Sequence, residues 1–433
     1  MKIKFKTIAL CFACMFIGGL KAQDGEFSDI EVLQRRTDLL ENAIQKLQKF
    51  KISGYIQTQY QWAEVDADGN NFKLPNRANA YEVAEKKEFS RFGIRRGRIK
   101  LTYEDGLFQG VFQPDFTEKG VALKDVYLNI KDPWLGTNAL RAGIFDRPFG
   151  HEIAYSSSRR ESPERARITQ TLFPDDRDLG AMLILQPAKT SVWNILKLEA
   201  GLFAGNGIKP QISSGMDFIG HLSIAKKIGH DVVVGGGIST YLGRVLQTDS
   251  STYVMKNKKF ELDNKDGFGK YATRQYFGFD AQLGMVTVAG FTNLRAEYIF
   301  GEHAQNANGS WDYKFTAISA LHSTPVYIRK ISGGYVLLAQ DLGKSPFAIV
   351  AKYDWYNPNT EVSGNEVGAA DSETGAKDLA MSTIGMGFIW NIDPFLKLTV
   401  YYDIVKNNTS ENITGWTEDR KDDVFTLRLQ YKF

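Results

Sequence analysis

The stretch "FGIRRGRIKL", residues 92–101, decides the fold. Apolar residues stand at Ile99 and Leu101 and continue to Tyr103, while Arg96, Arg98 and Lys100 take the alternate positions. Strand side chains point to opposite faces with a period of two, so this segment has one oily face and one cationic face. Arg95 breaks the rule: parity sends it to the oily side, unless a bulge at Gly93 or Gly97 redirects it or it meets a second subunit.

The same period recurs from residue 52 to the end of the chain. "ISGYIQTQYQW" (52–62) sets Ile52, Ile56, Tyr60 and Trp62 against Ser53, Tyr55, Gln57, Gln59 and Gln61. "FTLRLQYKF" (425–433) opposes Phe425, Leu427, Leu429, Tyr431 and Phe433 to Thr426, Arg428, Gln430 and Lys432. Sixteen such segments are expected, near 52–62, 89–104, 107–116, 121–131, 139–147, 179–187, 193–204, 217–227, 231–242, 274–284, 289–300, 327–337, 345–355, 380–391, 394–405 and 423–433. Tight connections such as 104–106, 229–230 and 392–393 alternate with long polar ones at 63–88, 148–178, 243–273, 301–326, 356–379 and 406–422. An even strand count with short turns at one end and long loops at the other marks a sixteen-stranded antiparallel transmembrane β-barrel, an all-β fold over 51–433. Closure also removes the sheet edges that lipid cannot satisfy.

Composition agrees with an exported membrane protein. Residues 1–22 read as a signal peptide: Lys2, Lys4 and Lys6 precede the apolar run 8–20, and Ala22 stands at the expected cut. Removing them takes four lysines and leaves 49 basic against 50 acidic residues, so bulk nucleic-acid binding is not expected. Both cysteines, Cys11 and Cys14, fall inside this leader, which excludes disulfides and thiol chemistry from the mature chain. Residues 23–50 read as a helix whose Ile30, Leu33, Thr37, Leu40, Ile44 and Leu47 occupy a/d heptad positions. A periplasmic coiled coil is expected there; a globular amphipathic helix is the alternative.

In a barrel the apolar face meets lipid and the polar face meets the lumen. An arginine on the lipid side at mid-bilayer costs about 2–4 kcal/mol, so Arg96, Arg98 and Lys100 point inward. Parity also sends Lys131, Arg141, Arg147, Lys197 and Lys352 to the lumen. Over the nine cleanest strands, inward basic residues outnumber acidic ones by about two to one, and rings of Arg and Lys select anions. Lys197/Glu199 and Lys352/Asp354 read as internal ion pairs instead. Loop 148–178 holds Arg159, Arg160, Arg165, Arg167 and Arg177 among six acids, and ion pairs are an equal reading for Arg165 and Arg177. The lysines of loop 243–273 read as solvated surface.

Five blocks resemble the porin O and P family, the phosphate-selective porins of Gram-negative outer membranes: "FGIRRGRIKL" (92–101), "LKDVYLNIK" (123–131), "LRAGIFDRPFGHE" (140–152), "RDLGAMLI" (177–184) and "GLFAGNG" (201–207). The resemblance implies a homotrimer whose third long loop, here 148–178, folds into the barrel as a constriction. It also implies that the terminal Phe433 engages the barrel-assembly machinery, with the bilayer and lipopolysaccharide as surroundings.

The five histidines show no metal-type spacing, and "DADGNN" (66–71) lacks the ligands of a calcium loop. No cofactor is expected and no segment stands out as a catalytic nucleophile site. The expected function is a passive outer-membrane pore for small hydrophilic solutes that prefers phosphate-like anions. Its pore-lining residues would be Arg96, Arg98, Lys100, Arg141, Arg147, Arg159, Arg160, Arg165, Arg167 and Arg177. The alternatives are a non-selective nutrient pore, a non-conducting anchor or adhesin barrel, and an outer-membrane lipase or protease.

Overall fold

The computed structural model describes residues 29–65, 88–174, 176–209, 211, 213–305 and 325–433. The expected leader, the 66–71 loop and His322 lie outside these residues. Helix α1 spans Asp29–Gln48 and runs directly into the first strand. The strands follow as β1 Phe50–Ala63, β2 Phe89–Asp105, β3 Phe108–Thr117, β4 Gly120–Lys131, β5 Ala139–Asp146 and β6 Arg177–Leu185. Next come β7 Leu196–Phe203, β8 Asp217–Ile228, β9 Val232–Leu246, β10 Thr252–Lys256, β11 Lys259–Asn264 and β12 Tyr271–Thr287. The chain finishes with β13 Gly290–Gln305, β14 Val326–Asp341, β15 Phe347–Asn357, β16 Met381–Asn391, β17 Leu396–Asn407 and β18 Val424–Lys432.

Sixteen of these form one closed antiparallel barrel, each paired with its sequence neighbours, and β9 pairs with β12 across the intervening hairpin. Each of the sixteen expected segments overlaps one barrel strand. The expected loop 243–273 is in part structured: β10 and β11 form a hairpin outside the barrel wall, and β10 lies parallel against the end of β14. Short polar-apolar runs in a loop gave no period long enough to reveal it.

The barrel closes where β18 pairs β1, from Tyr55 opposite Lys432 to Ala63 opposite Val424. The Gly54 and Phe433 backbones exchange hydrogen bonds of 2.9 and 3.0 Å at this seam. Burial is inverted relative to a soluble protein, as period two in lipid requires. On β2, Phe92 is 84% exposed on the outside and Arg96 only 4% exposed on the inside. Tyr103, Phe108 and Tyr431 are exposed near strand ends, where amphipathic rings suit a membrane–water interface.

Register shifts between Gln57/Thr58 on β1, so that Gln57 faces Arg96 and Thr58 faces Ile94. Arg95 is the extra residue of this bulge. A bulge inserts one residue and re-aims side chains, and here it turns Arg95 and Arg96 both to the inside. The expected outward Arg95 is therefore corrected, and the bulge falls on the arginine itself rather than on Gly93 or Gly97. A second shift, between Gln113/Pro114 on β3, leaves Lys124 as the extra residue on β4, at a proline that cannot donate to the ladder.

At the long-loop end, the β10–β11 hairpin and the loops after β15 and β17 share a small core of Met255, Phe260, Tyr327, Val362, Val367, Leu379 and Trp416. Arg329 Nε donates to Asp378 Oδ1 at 2.8 Å beneath it, both side chains buried, and its guanidinium stacks over Phe260. On the hairpin, Lys256 pairs with Asp263 and Lys258 with Glu366, all partly exposed, which matches the surface reading of that loop.

Candidate functional site: the loop inside the barrel

Loop 147–176, between β5 and β6, lies within the barrel. Its entry is fixed by backbone: Gly150 N donates to Ser239 Oγ at 2.8 Å, and His151 N and Glu152 N both donate to Glu297 Oε2 at 3.1 and 3.0 Å. Gly150 has φ +61°, and an added Cβ would run into the Glu297 carboxylate, so only glycine suits this corner. A short helix, α2 (Arg167–Leu172), follows, with Arg167 N donating to Asp354 Oδ1 at 3.1 Å.

The loop has two dissimilar sides. Phe149, Ile153, Ile168, Leu172 and Phe173 are fully buried in one apolar cluster with Tyr241, Tyr276, Ile299, Ile331 and Tyr335 of β9, β12, β13 and β14. Ring centroids stand 4.9 Å apart for Phe149–Phe173 and 5.8 Å for Phe173–Tyr276. Parity places the polar face toward the lumen, yet on this side the barrel interior is a packed hydrophobic core. Inward tyrosines and isoleucines on these strands were legible as alternation, but not as partners of a loop distant in sequence.

The other side is polar and is held by the seam strands and by β15 and β17. Gln57 Nε2 donates to Ser157 O at 3.1 Å, Gln430 Nε2 to Ser158 O at 2.9 Å and Lys397 Nζ to Arg160 O at 3.1 Å. Arg428 Nη1 donates to Pro163 O at 2.7 Å and Lys352 Nζ to Glu164 O at 3.2 Å. The Glu164 carboxylate is the centre of this side. Arg95 grips it through Nε at 2.8 Å and Nη2 at 2.7 Å, Arg428 through Nη2 at 2.9 Å and Arg96 through Nη2 at 3.4 Å. Burial alone would raise this carboxyl, but the guanidiniums of Arg95, Arg96 and Arg428 outweigh it and hold Glu164 well below the usual carboxylate range. The Arg160 side chain is 6% exposed, and none of its guanidinium nitrogens has a hydrogen-bond partner among the described residues. Burial, reinforced by Arg165, pushes it down to about 10, which leaves it charged at neutral pH.

The sequence-derived candidates are therefore spread over several contacts. Arg96 joins the Glu164 node; Arg98 pairs with Asp115 at 2.9 Å and lies under the loop at Ser157. Lys100 faces inward below them, half-buried. Arg141 lies over the Tyr127 ring at 4.6 Å, and Arg147 pairs with Asp178 at 3.2 Å. Arg159 is exposed. Arg165 pairs with Asp176 and donates to the Glu152 and Ile153 carbonyls at 3.0 and 2.9 Å. Arg167 is buried, and Arg177 pairs with Asp125 at 2.9 Å, Asp146 at 3.2 Å and Asp176 at 3.3 Å. The ion-pair reading thus describes Arg165 and Arg177, as it does Lys197–Glu199 at 2.8 Å and Lys352–Asp354 at 3.2 Å. Glu164 was only one acid among six in the sequence; nothing local distinguishes it, because its three partners come from two other strands. Among the described residues, no group of three His, Cys, Asp or Glu side chains could hold a metal ion.

A closed sixteen-stranded barrel with a long loop folded into it defines a class: the fold is that of Gram-negative outer-membrane porins. Among solved structures, Pseudomonas putida OprB aligns at 8% identity and TM-score 0.54, covering 92% of this chain and 96% of that one. Salmonella typhi OmpF, solved with daunomycin, aligns at 11% identity and TM-score 0.51, covering 89% and 97%. No family model and no curated protein matches the sequence.

Proposed function

We propose that this chain is an outer-membrane porin that passes small hydrophilic solutes passively and prefers anions, phosphate-like oxyanions first among them. One observation carries the preference: three guanidiniums converge on the single carboxylate of Glu164, beside Arg160, whose guanidinium has no hydrogen-bond partner among the described residues. That neighbourhood keeps a net positive charge in a space screened from bulk water, where charge acts most strongly. Guanidinium forks also match oxyanion geometry, and the resemblance to the phosphate-selective family points the same way. The pairing of Arg98, Arg165 and Arg177 with carboxylates favours the second reading, a general pore with little charge preference.

Reversal potential in a salt gradient across a planar bilayer separates them. The wild type is expected to favour chloride over potassium. Replacing Arg96, Arg98 and Lys100 together by Gln should lower that ratio severalfold, and Glu164→Gln, which removes the node's only carboxylate, should raise it. Cation selectivity in the wild type would overturn the anion reading, and a lack of any conductance steps would favour an anchor barrel.

The proposal includes a homotrimer with α1 in the periplasm and Phe433 as the assembly signal. Leu40, Ile44 and Leu47 lie exposed on α1, a heptad stripe that copies of the same helix would cover. Removing residues 29–48 should lower the temperature at which the trimer dissociates in detergent and leave single-channel conductance unchanged.

A further inference from the structure

We propose that one lipid with a zwitterionic headgroup, a phosphoryl group joined to an ammonium as in phosphoethanolamine, binds the outer wall of this barrel in a groove along β14. This goes beyond the pore reading and does not depend on conduction; it needs only a barrel set in a bilayer.

The groove follows from residue size. The outward face of β14 carries Lys330, Ser332 and Gly334 in succession, and the neighbouring strands carry large rings there. On β13, Phe300 stands opposite Ser332 and Tyr298 opposite Gly334; on β15, Trp355 stands opposite Gly334. Two small residues between two aromatic rows leave a trough. The Trp355 ring covers its lower end, lying 3.1 Å from where a Cβ on Gly334 would stand. The space that remains is about 530 Å³, and its lining includes Tyr298, Phe300, Gly301, Glu302, Lys330 and Ser332. That is within the roughly 300–1,000 Å³ of pockets that take a small ligand. The groove opens on the face that alternation turns to hydrocarbon, so its occupant comes from the membrane, and an acyl chain suits the aromatic walls.

The mouth of the groove selects the headgroup. Glu302 and Lys330 are opposed across β13 and β14, a position from which opposite charges stabilise a sheet by pairing. They do not pair here. Lys330 Nζ donates instead to Glu361 Oε1 at 3.1 Å, in the loop after β15. Among the described residues the Glu302 carboxylate has no hydrogen bond or ion pair. Glu302 is half-buried on an outward face, where a carboxylate without a partner is costly. A lipid ammonium answers that carboxylate. The Lys330 side chain is 57% exposed, and its ammonium has three donors, so it keeps N–H groups for a phosphoryl oxygen. Two acids against one lysine disfavour a purely anionic head.

The depth agrees with this. Glu302 lies twelve residues beyond Gly290, which begins β13 at the short-turn end. At about 3.4 Å per residue and a tilt of about 40°, it stands roughly 30 Å up, just past an apolar band about 25 Å tall. The charged mouth is therefore at headgroup level, with Tyr298 and Phe300 just inside the hydrocarbon.

Native mass spectrometry tests the site on the purified protein, stripped of lipid in detergent and titrated with phosphatidylethanolamine, phosphatidylglycerol or phosphatidylcholine. The wild type is expected to hold one phosphatidylethanolamine about tenfold more tightly than either other lipid, the worth of about one charge-assisted hydrogen bond. Glu302→Gln should erase most of that preference. Ser332→Trp, which fills the trough, should lose the bound lipid, whereas Ala142→Trp, exposed on the outward face of β5, should keep it. A heat-modifiable band in each variant checks that its barrel is closed. Equal affinity of the wild type for all three lipids overturns the proposal, as does an unchanged preference in Glu302→Gln or equal lipid retention in the two tryptophan variants. Should Ser332→Trp fail to assemble, Thr360→Trp at the rim of the groove carries the same comparison.

Discussion

Replacing Phe149 and Phe173 together with alanine should raise single-channel conductance severalfold and turn quiet steps into flickering ones. Both rings are completely buried and packed against each other, and Phe173 meets Tyr241 at a tilt and Tyr276 edge-on. Truncating a buried phenylalanine costs about 3–5 kcal/mol. The polar contacts on the opposite side of the loop contribute about 0.5–1.5 kcal/mol each, and about 1.5–3 kcal/mol where a charged group takes part. The apolar side is therefore a major anchor, and its loss loosens the loop within the cavity. A sixteen-stranded barrel without an internal obstruction has an aqueous channel, so current should rise. The barrel wall does not depend on these rings, and folded yield should stay near that of the wild type. Unchanged conductance with unchanged noise would mean that the seam-side hydrogen bonds alone hold the loop.

The second large effect concerns closure. Gly54→Val should abolish assembly, read as loss of the heat-modifiable folded band and of the protein from outer membranes. A Cβ at position 54 would lie 2.6 Å from the Phe433 ring, and closer still to the Arg98 carbonyl oxygen. Because β1 pairs with β2 on one side and β18 on the other, a displaced Gly54 opens both ladders at once. An unclosed barrel exposes backbone donors and acceptors to hydrocarbon, at several kcal/mol for each unsatisfied group. Ile56→Val, two residues along the same outward face, makes no such contact and should assemble normally. Normal assembly of Gly54→Val would show that the seam can shift to accept a side chain.

Much of this could be read from the chain itself. Period-two alternation determined sixteen strands, their inward and outward faces and the sorting of short and long connections. Each is a local consequence of a pleated strand set between lipid and water. Even the inward direction of Arg96, Arg98 and Lys100 needed only the cost of a cationic side chain in hydrocarbon. The Arg95 anomaly was visible as a broken parity, yet its resolution required the register against β1, since a bulge belongs to a pair of strands.

Tertiary structure decided everything that depends on two faces meeting across the lumen. The sequence presented loop 148–178 as a mixture of arginines and acids, with no means of matching them. The fold pairs Arg165 with Asp176, brings Arg95, Arg96 and Arg428 onto Glu164, and leaves the Arg160 guanidinium without a hydrogen-bond partner among the described residues. It also packs one side of the interior with Phe149, Phe173 and their partners, where alternation alone marked only an inward face. The physical reason is range. Lipid and water act on each strand separately and imprint a local period, whereas ion pairing and apolar packing inside the barrel join residues more than two hundred positions apart.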